Sequence, residues 1–272
     1  MLQNQKPQPF LKWAGGKRSL LPEILPRLPG QFNTYFEPFL GGGAVFFALS
    51  EKIDQAILSD ENLELILTYR VIQKEPEVLI SKLRVHAEHH SKEYFYEVRK
   101  QELQDPIDIA ARLIYLNKTC YNGLYRVNKS GSFNTPFGDY TNPNITQEEN
   151  ILACHIALQK TTILLSDFES IPRPQKGDLV YFDPPYHQLE ETSFVDYTKN
   201  TFTERDQIRL RDFAIELTKK GVFVMLSNSR TNFIEEIYKE KYFTKHIVLA
   251  PRFINSDPKN REKVEEFLIT NY

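Results

Sequence analysis

Residues 35–50, with the sequence YFEPFLGGGAVFFALS, place a short apolar strand, a glycine-rich turn and a helix in direct succession. The pattern predicts the strand at Tyr35-Phe36 and the helix at Ala44–Ser50. Glycines in such a turn let a ligand approach the backbone closely, and they leave the first N–H groups of the helix available. The stretch therefore predicts a strand–turn–helix unit of an α/β fold, which serves either as a nucleoside site or as an ordinary tight turn.

Asp60 lies 19 residues after Gly41 and follows the next predicted strand, Gln55–Leu58. An acid at this position of a nucleotide-binding unit usually accepts hydrogen bonds from ribose hydroxyls. Phe46 occupies the position where a dinucleotide-binding motif has its last glycine. The pattern therefore favours a nucleoside ligand other than a dinucleotide.

Strand and helix patterns alternate on both sides of a long helical segment. Four consecutive amphipathic helices are predicted in that segment, at Leu65–Ile72, Pro76–His90, Lys92–Gln104 and Ile107–Asn117. A polar, turn-rich stretch at 128–132 predicts a hairpin after them. Alternation then resumes with strands and helices at Thr162–Leu165, Leu179–Phe182, Glu204–Lys219, Val222–Leu226 and Asn232–Tyr238, and with a last segment at Val264–Thr270.

This organisation predicts an α/β fold with a parallel sheet, interrupted by a mainly helical insert that ends in a β-hairpin. The predicted boundaries give an α/β domain of residues 1–63 and 159–272 and an insert of residues 64–158.

The stretch LVYFDPPY, residues 179–186, reads as a buried strand that stops at an acid and two prolines. Asp183 presents a carboxylate that only accepts hydrogen bonds, Pro184 a backbone carbonyl, and Tyr186 an aromatic ring. Such a set can hold a planar amine while the ring stacks on the attached base. The alternative is a strand that ends in a rigid turn with a capping acid.

Composition narrows the class of protein. No run approaches the 18 or more apolar residues of a membrane span, and the N-terminus lacks the apolar core of a signal peptide. Cys120 and Cys154 give neither a disulfide framework nor a metal spacing. We therefore expect a cytoplasmic protein with reduced thiols and no membrane partner.

The net charge of −2 does not favour general nucleic-acid binding, but the charge is unevenly distributed. Residues 109–138 contain no acid, and they carry four basic and five aromatic side chains: Arg112, Lys118, Arg126, Lys129, Tyr115, Tyr121, Tyr125, Phe133 and Phe137. The stretch is typical either of a confined nucleic-acid surface or of a solvated face with ordinary core aromatics.

Two further patterns do not support a cofactor site. Residues 11–18 end in Gly-Lys, but Leu11 and Arg18 fail the positions that a P-loop requires. His86, His89 and His90 lie close together on a predicted helix without a cysteine or a second pair of ligands. We therefore expect no bound metal.

Three motifs in this order, FLKWAGGK at 10–17, FEPFLGGG at 36–43 and DPPY at 183–186, resemble the Dam-type DNA adenine-N6 methyltransferases, the alpha-group or D12 class. The resemblance implies a Rossmann-like methyltransferase fold and S-adenosyl-L-methionine as the methyl donor. It also implies that residues 1–63 and 159–272 are the catalytic, cofactor-binding domain and that residues 64–158 are the target-recognition (DNA-binding) insert. It assigns catalysis to Asp183, Pro184, Pro185 and Tyr186. It assigns cofactor contacts to Trp13, Ala14, Lys17, Glu37, Pro38, Phe39, Gly41, Asp60, Asp167, Phe168 and Asp183.

The segments YNGLYR, residues 121–126, and FNTPFG, residues 133–138, resemble the recognition hairpin of the GATC-methylating members. The resemblance implies that Arg126 reads a guanine, that Tyr121 wedges into the base stack, and that double-stranded DNA is the partner. The DNA-contacting set that it implies is Lys12, Tyr121, Asn122, Leu124, Arg126, Asn134 and Pro136. A hairpin that serves only for packing is the alternative.

Two other classes of function share parts of this pattern. Methyltransferases of RNA bases or protein glutamine use a related Pro-Pro-Tyr motif, although they generally lack the N-terminal motif and the insert. A DNA-binding module could also retain a catalytically dead scaffold. The family resemblance further allows a cognate restriction endonuclease that acts separately.

Overall fold

The computed structural model describes residues 5–128, 130–188, 202–239, 241–251 and 263–272. They form two compact units. The first unit takes its described residues from Met1–Gly16, Leu40–Lys52 and Asp60–Leu165, and the second takes them from Lys17–Phe39, Ile53–Ser59 and Ser166–Tyr272. No helix within the described ranges is long and apolar enough to cross a membrane. The functional boundaries at residues 64 and 158 stay a prediction.

The strands form a seven-stranded mixed sheet. They are β1 (Tyr35–Glu37), β2 (Ala56–Asp60), β3 (Thr161–Leu165), β4 (Leu179–Phe182), β5 (Phe223–Ser229), β6 (Thr244–Pro251) and β7 (Lys263–Thr270), in the order β3-β2-β1-β4-β5-β7-β6. The pairs β1–β2, β1–β4 and β4–β5 are parallel, whereas β7 is antiparallel to both β5 and β6. The order 3-2-1-4-5 is that of a Rossmann-like sheet, which confirms the predicted fold class.

The expectation of a parallel sheet is wrong at one edge. The sequence pattern does not predict β6, which pairs with β7 to add an antiparallel ribbon beside β5. In β6 the buried Val248 and Ala250 alternate with the exposed Ile247 and Leu249, as expected for a strand with one face on the core.

Parallel pairing brings two acidic residues to the same edge of the sheet. Tyr35 pairs with Leu179 and Phe36 with Val180, so β1 and β4 run side by side in the same direction. β1 ends at Glu37, and β4 ends directly before Asp183. Ligands bind at the carboxyl ends of strands in open α/β sheets, so this edge is where a site is expected.

Helix α8 (Glu204–Lys219) covers the second unit's sheet and begins at a capping box. Thr203 and Asp206 exchange side-chain hydrogen bonds with each other's backbone N–H groups, which satisfies two donors of the first turn. Leu210, Phe213 and Leu217 lie on one face of α8 and pack into the core that holds the strands. The capping box therefore fixes the N-terminus of α8, and the apolar face fixes the helix against the core. The unit also contains the short helices α1 (Leu21–Ile24) and α9 (Asn232–Ile237).

The first unit is mainly helical. Its helices are α2 (Ala44–Leu49), α3 (Leu63–Lys74), α4 (Pro76–Glu88), α5 (Lys92–Lys100), α6 (Pro106–Thr119) and α7 (Glu148–Leu158). α6 is central, since it packs against α3, α4 and α5. The four predicted helices are confirmed, although α5 ends four residues before the predicted Gln104. The sequence pattern does not predict α7, because its apolar residues lie on more than one side of the helix.

The chain doubles back after α6, as the hairpin prediction requires. Antiparallel bridges join Cys120 to Phe137 and Val127 to Phe133. The buried Asn117 of α6 accepts from the backbone N–H of Lys12 and donates to the carbonyls of Lys12 and Gly123. One side chain thus fixes the N-terminal segment and the start of the hairpin to α6.

Candidate active site

Asp183 and Lys17 form a largely buried ion pair at the carboxyl edge of the sheet. Lys17 Nζ lies 2.7 Å from Asp183 Oδ1, and their side chains are 7% and 18% exposed. Burial raises the pKa of the Asp183 carboxyl above its usual value, and the Lys17 ammonium offsets part of that rise. Lys17 therefore favours the charged form of Asp183 at a position where burial favours the protonated form.

Tyr186 is held at two points. Lys17 Nζ lies 4.6 Å from the centroid of its ring, which is a cation–π distance. Its hydroxyl donates to Glu266 Oε2 of β7 at 2.8 Å. The ring is thus oriented by a cation on its face and an acceptor at its tip.

The carbonyl groups of the two prolines differ. The Pro185 carbonyl accepts from Gln207 Nε2 of α8 at 2.9 Å. The buried Asp183 Oδ1 has the Lys17 ion pair but no hydrogen bond in the described part of the chain. Within the same ranges, no hydrogen bond reaches the Pro184 carbonyl oxygen or Asp183 Oδ2 either. These two acceptors therefore remain for an external donor.

Two further carboxylates, Glu37 and Glu266, lie near Asp183 among the described residues. Glu37, 3% exposed, accepts from the Tyr35 hydroxyl at 2.8 Å. Burial raises the pKa of Glu266, and repulsion from Asp183 adds to the rise, whereas its hydrogen bond from Tyr186 and the charge of Lys17 oppose it. Carboxylates grouped in this way suit a positively charged ligand.

Asp60 and Gly41 form the second predicted cofactor group, in the first unit. The Gly41 N–H donates to Asp60 Oδ2 and the Asn62 N–H to Asp60 Oδ1, both at 3.0 Å. Burial raises the pKa of Asp60, and these backbone donors oppose the rise. Each oxygen keeps acceptor capacity, so the carboxylate can still accept a hydroxyl.

The glycine at position 41 is required by its surroundings. Its φ of +47° is in the left-handed region, and a Cβ there would lie 2.8 Å from Trp13 Cδ1. The Trp13 ring in turn stacks on Tyr125 at 4.9 Å between centroids. The Trp13 side chain therefore packs against both the glycine turn and the hairpin.

Asp167 and Phe168, both predicted cofactor contacts, differ in burial. Phe168 is 2% exposed and stacks on Phe39 at 5.4 Å between centroids. Asp167 is paired with Arg209 of α8 at 3.4 Å. Their role toward a cofactor stays a prediction.

The predicted DNA-contacting residues lie on the surface of the first unit. Tyr121 and Leu124 are 58% and 39% exposed, which is unusual for large apolar side chains. Arg126 is exposed, and its Nε donates to Asn134 Oδ1 at 2.8 Å. The remaining members of the set are Lys12 and Asn122, both exposed, and Pro136, also exposed.

The histidine group belongs to an aromatic cluster. His86 stacks on Tyr115 at 4.8 Å and shares a hydrogen bond with the Tyr94 hydroxyl. Burial lowers the pKa of His86 to about 4. The helix face that carries His86 is therefore more buried than the charged residues beside it suggest. The described part of the chain has no group of three potential metal ligands.

Two side chains at the loop are not predicted from the sequence. Gln207 and Glu266 are 22 and 80 residues from the atoms they bind. α8 and β7 each carry other charged residues, so one more amide or acid in them is a weak signal. The signal becomes specific only when the sheet register is known.

Comparison with known proteins identifies the family of this chain. The family model of the D12 class N6 adenine-specific DNA methyltransferases matches residues 13–251. The chain belongs to this family. The matched region contains every predicted catalytic and cofactor-binding residue, whereas Lys12 and Glu266 lie outside it.

Relatives match this D12-class methyltransferase over nearly its whole length. Type II methyltransferase M1.LlaDCHI of Lactococcus lactis subsp. cremoris is 44% identical, over 97% of this chain and 95% of the relative. Type II methyltransferase M.MjaIII of Methanocaldococcus jannaschii is 42% identical, over 97% and 99%. The DNA adenine methylase of Escherichia coli K12 is 35% identical, over 97% and 95%. The predicted class of enzyme, an adenine-specific DNA methyltransferase, is confirmed.

Proposed function

We propose that this D12-class enzyme methylates adenine N6 within GATC in duplex DNA, by flipping the base and transferring the methyl group directly. The observation that carries the proposal is the pair of acceptors at Asp183 Oδ2 and the Pro184 carbonyl, beside a Tyr186 ring held in place. Family membership favours this substrate over an RNA base or a glutamine side chain.

The two acceptors address the weakness of the nucleophile. The N6 lone pair of adenine is conjugated with the ring, so the amine attacks poorly while it stays planar. Hydrogen bonds from its NH₂ to Asp183 and to the Pro184 carbonyl favour the tetrahedral geometry, and they offset the positive charge that develops on nitrogen. Correct placement of the amine supplies much of the remaining acceleration.

The two oxygens of the Asp183 carboxylate have different roles, because Lys17 contacts Oδ1. Its contact with Oδ1 stabilises the charged form, which must accept the amine hydrogens. Oδ2 then serves the substrate. Because Lys17 also lies over one face of Tyr186, we expect the flipped base to stack on the other face.

The family and fold imply S-adenosylmethionine, and the residues present fit it. Asp60 and Glu37 are carboxylates suited to hydroxyl and ammonium groups, and the carboxylates near Asp183 suit a cation. When bound, this cofactor supplies a methyl group that a positively charged sulfur already activates. Trp13, Ala14, Lys17, Glu37, Pro38, Phe39, Gly41, Asp60, Asp167 and Phe168 are the proposed contacts.

Recognition of GATC is assigned to the hairpin. Asn134 holds Arg126 through two contacts, from Nε to Asn134 Oδ1 at 2.8 Å and from Nη2 to the Asn134 carbonyl at 3.5 Å. Nη1, together with Nη2 once its long contact is released, can then reach O6 and N7 of a guanine. The exposed Tyr121 ring can enter the base stack, and the exposed Leu124 and Pro136 offer apolar contact to a thymine methyl group. Lys12 is assigned to the outer guanine.

A set of duplexes tests the site. Each position of GATC is replaced in turn by the other base pairs, and methyl incorporation is measured for each duplex. We expect each change to lower incorporation strongly. Undiminished methylation of a changed duplex would remove that position from the site.

The type II names of the two relatives above 40% identity favour a restriction–modification role for this chain. In such a role a separate endonuclease cuts the same sequence. Expression of the enzyme in a host should protect that host's DNA from an endonuclease that cuts unmethylated GATC.

A further inference from the structure

The catalytic loop cannot hold itself in place. Pro184 and Pro185 have no backbone N–H groups, so the loop lacks two donors with which an ordinary turn closes its own hydrogen bonds. Its conformation must therefore be set by groups outside it. Two buried amide side chains meet this need.

Gln207 of α8 and Asn228 of β5 are both 0% exposed. Gln207 Nε2 donates to the Pro185 carbonyl at 2.9 Å, and Asn228 Nδ2 donates to Gln207 Oε1 at 2.9 Å. Asn228 Oδ1 then accepts from the backbone N–H of His187 at 3.2 Å. The hydrogen bonds run from one side of Tyr186 to the other.

These hydrogen bonds form a relay from the Pro185 carbonyl through Gln207 and Asn228 to the His187 N–H. The groups at its two ends determine which atom donates in each bond. The Pro185 carbonyl can only accept, so Gln207 must turn its NH₂ group toward it. The Gln207 oxygen then faces Asn228, which must turn its own NH₂ group toward Gln207. The Asn228 oxygen is left for the N–H groups of His187 and Ser229. The orientation of each side-chain amide is therefore determined by the group to which it is hydrogen-bonded.

Both peptide groups that flank Tyr186 are therefore held from the same pair of side chains. The Ser229 hydroxyl adds a third contact by donating to the His187 carbonyl. With the Pro185 carbonyl engaged, the carbonyl of Pro184 is the one left for a ligand.

We propose that Gln207 and Asn228 are positioning residues for methyl transfer, which fix the backbone on both sides of Tyr186 so that the Pro184 carbonyl and Tyr186 ring meet the target base. The inference rests on the proposed function of this loop, since it assigns the loop to the amine of a flipped adenine. Neither residue touches the reacting atoms.

Two substitutions attack the relay in different ways. Gln207→Met keeps the length of the side chain and removes both hydrogen bonds. Asn228→Asp keeps its shape, but the new oxygen repels Gln207 Oε1 and favours a rotated amide, which would turn the Gln207 oxygen toward the Pro185 carbonyl. We expect each to lower the single-turnover methylation rate about 10- to 100-fold, because small misplacements at a reacting centre are costly.

Binding provides the readout that a general loss of structure would not give. We expect the dissociation constants for duplex DNA and cofactor to change about twofold or less, since the relay contacts neither. The double variant should be no slower than the slower single variant, because both changes break one network. Additive losses would overturn the relay.

Asn271→Leu is the matched control. Asn271 also binds backbone from a side-chain amide, since it accepts from the Val224 N–H and donates to the Val222 carbonyl. These contacts lie at the opposite end of β5 from Asn228. The control should lower the unfolding temperature while the single-turnover rate stays near that of the parent enzyme.

Amide hydrogen exchange keeps the test independent of activity. Exchange at the His187 N–H should accelerate in Gln207→Met but not in Asn271→Leu. Asn228→Asp keeps an oxygen acceptor for this N–H, so it should lower the methylation rate without faster exchange. Unchanged exchange in Gln207→Met, or equal loss of rate in the control at equal loss of unfolding temperature, would overturn the inference. Failure of the proposed function would instead appear as a parent enzyme that methylates no DNA duplex.

Discussion

At the scale of single residues, Asp183 must be charged in a place that disfavours charge. The amine of adenine needs an acceptor, and burial strengthens that interaction because little water competes. Burial also raises the pKa of the carboxyl. Lys17 resolves the conflict by compensating one oxygen and leaving the other.

Replacement of Asp183 by Asn tests its role in the reaction. The amide has nearly the same shape, but it cannot supply a negative charge to the amine. We expect single-turnover methylation to fall about 10²- to 10³-fold, the range for loss of one preorganised electrostatic contact. Calorimetric titration should show that duplex DNA still binds. Loss of DNA binding together with turnover would make Asp183 a structural residue.

The acid limb of the pH–rate profile should respond to Lys17. The Asp183 carboxylate is the active form, so activity is lost as pH falls through its raised pKa. Lys17→Met removes the charge that opposes the rise, so the acid limb of kcat/KM should move to higher pH. Glu266→Gln should move it the other way, because the two carboxylates repel each other. Shifts in the same direction for both variants would contradict this account.

Arg126 should determine one base pair of the site. Arg126→Ala should cost about 1–3 kcal/mol in binding and relax discrimination at that base pair. Asn134→Ala removes the partner of Nε and should relax the same base pair to a smaller extent. Binding titrations on the set of altered GATC duplexes measure both effects. Equal weakening on every duplex would instead indicate a phosphate contact.

The sequence predicts the residues of the loop but not those that hold it. Asp183 to Tyr186 are contiguous, so their chemistry is visible in one motif. Glu266, Gln207 and Asn228 reach the loop from β7, α8 and β5. Their positions depend on strand register and on one helix face, which composition and spacing alone do not specify.

At the scale of elements, the hairpin depends on close backbone packing. A Cβ at Gly138 would lie 2.5 Å from the backbone carbonyl atoms of Cys120, so the strands must separate to accept it. We expect Gly138→Ala to lower the free energy of unfolding by about 1–3 kcal/mol, as for overpacked sites. Chemical denaturation measures this change, and recognition of GATC should weaken in parallel.

Gly30→Ala is the control for that substitution. A Cβ at Gly30 meets nothing within 4 Å, and its exposed position needs no unusual backbone angle. We expect its unfolding free energy to stay within about 0.5 kcal/mol of the parent value. Equal losses at both positions would show that packing against Cys120 is not the cause.

Prediction of the elements succeeds where the local pattern is strong. The glycine turn and the apolar runs predict β1, β2 and β4, and the predicted helix Glu204–Lys219 coincides with α8. α7 escapes prediction because Ile156 is exposed opposite the buried Ile151 and Cys154. The antiparallel pairing of β7 depends on contacts between segments that are distant in sequence.

At the scale of the whole molecule, the small net charge of −2 limits nonspecific attraction to DNA. Affinity must then come from a confined set of basic side chains, such as Arg126 and Lys12. Each phosphate contact contributes to the dependence of binding on salt. We therefore expect a shallow salt dependence, measured as the slope of log affinity against log salt concentration, with a marked preference for specific over nonspecific duplex. A steep slope on nonspecific duplex would indicate a larger basic surface.

Methylation of adenine N6 within GATC is tested most directly by methyl transfer from labelled S-adenosylmethionine to two duplexes that differ only at one GATC. We expect label only on the duplex that contains GATC, with N6-methyladenine as the product. Equal label on both duplexes would contradict the assigned site, and absence of label from both, with the cofactor bound, would contradict DNA as the substrate.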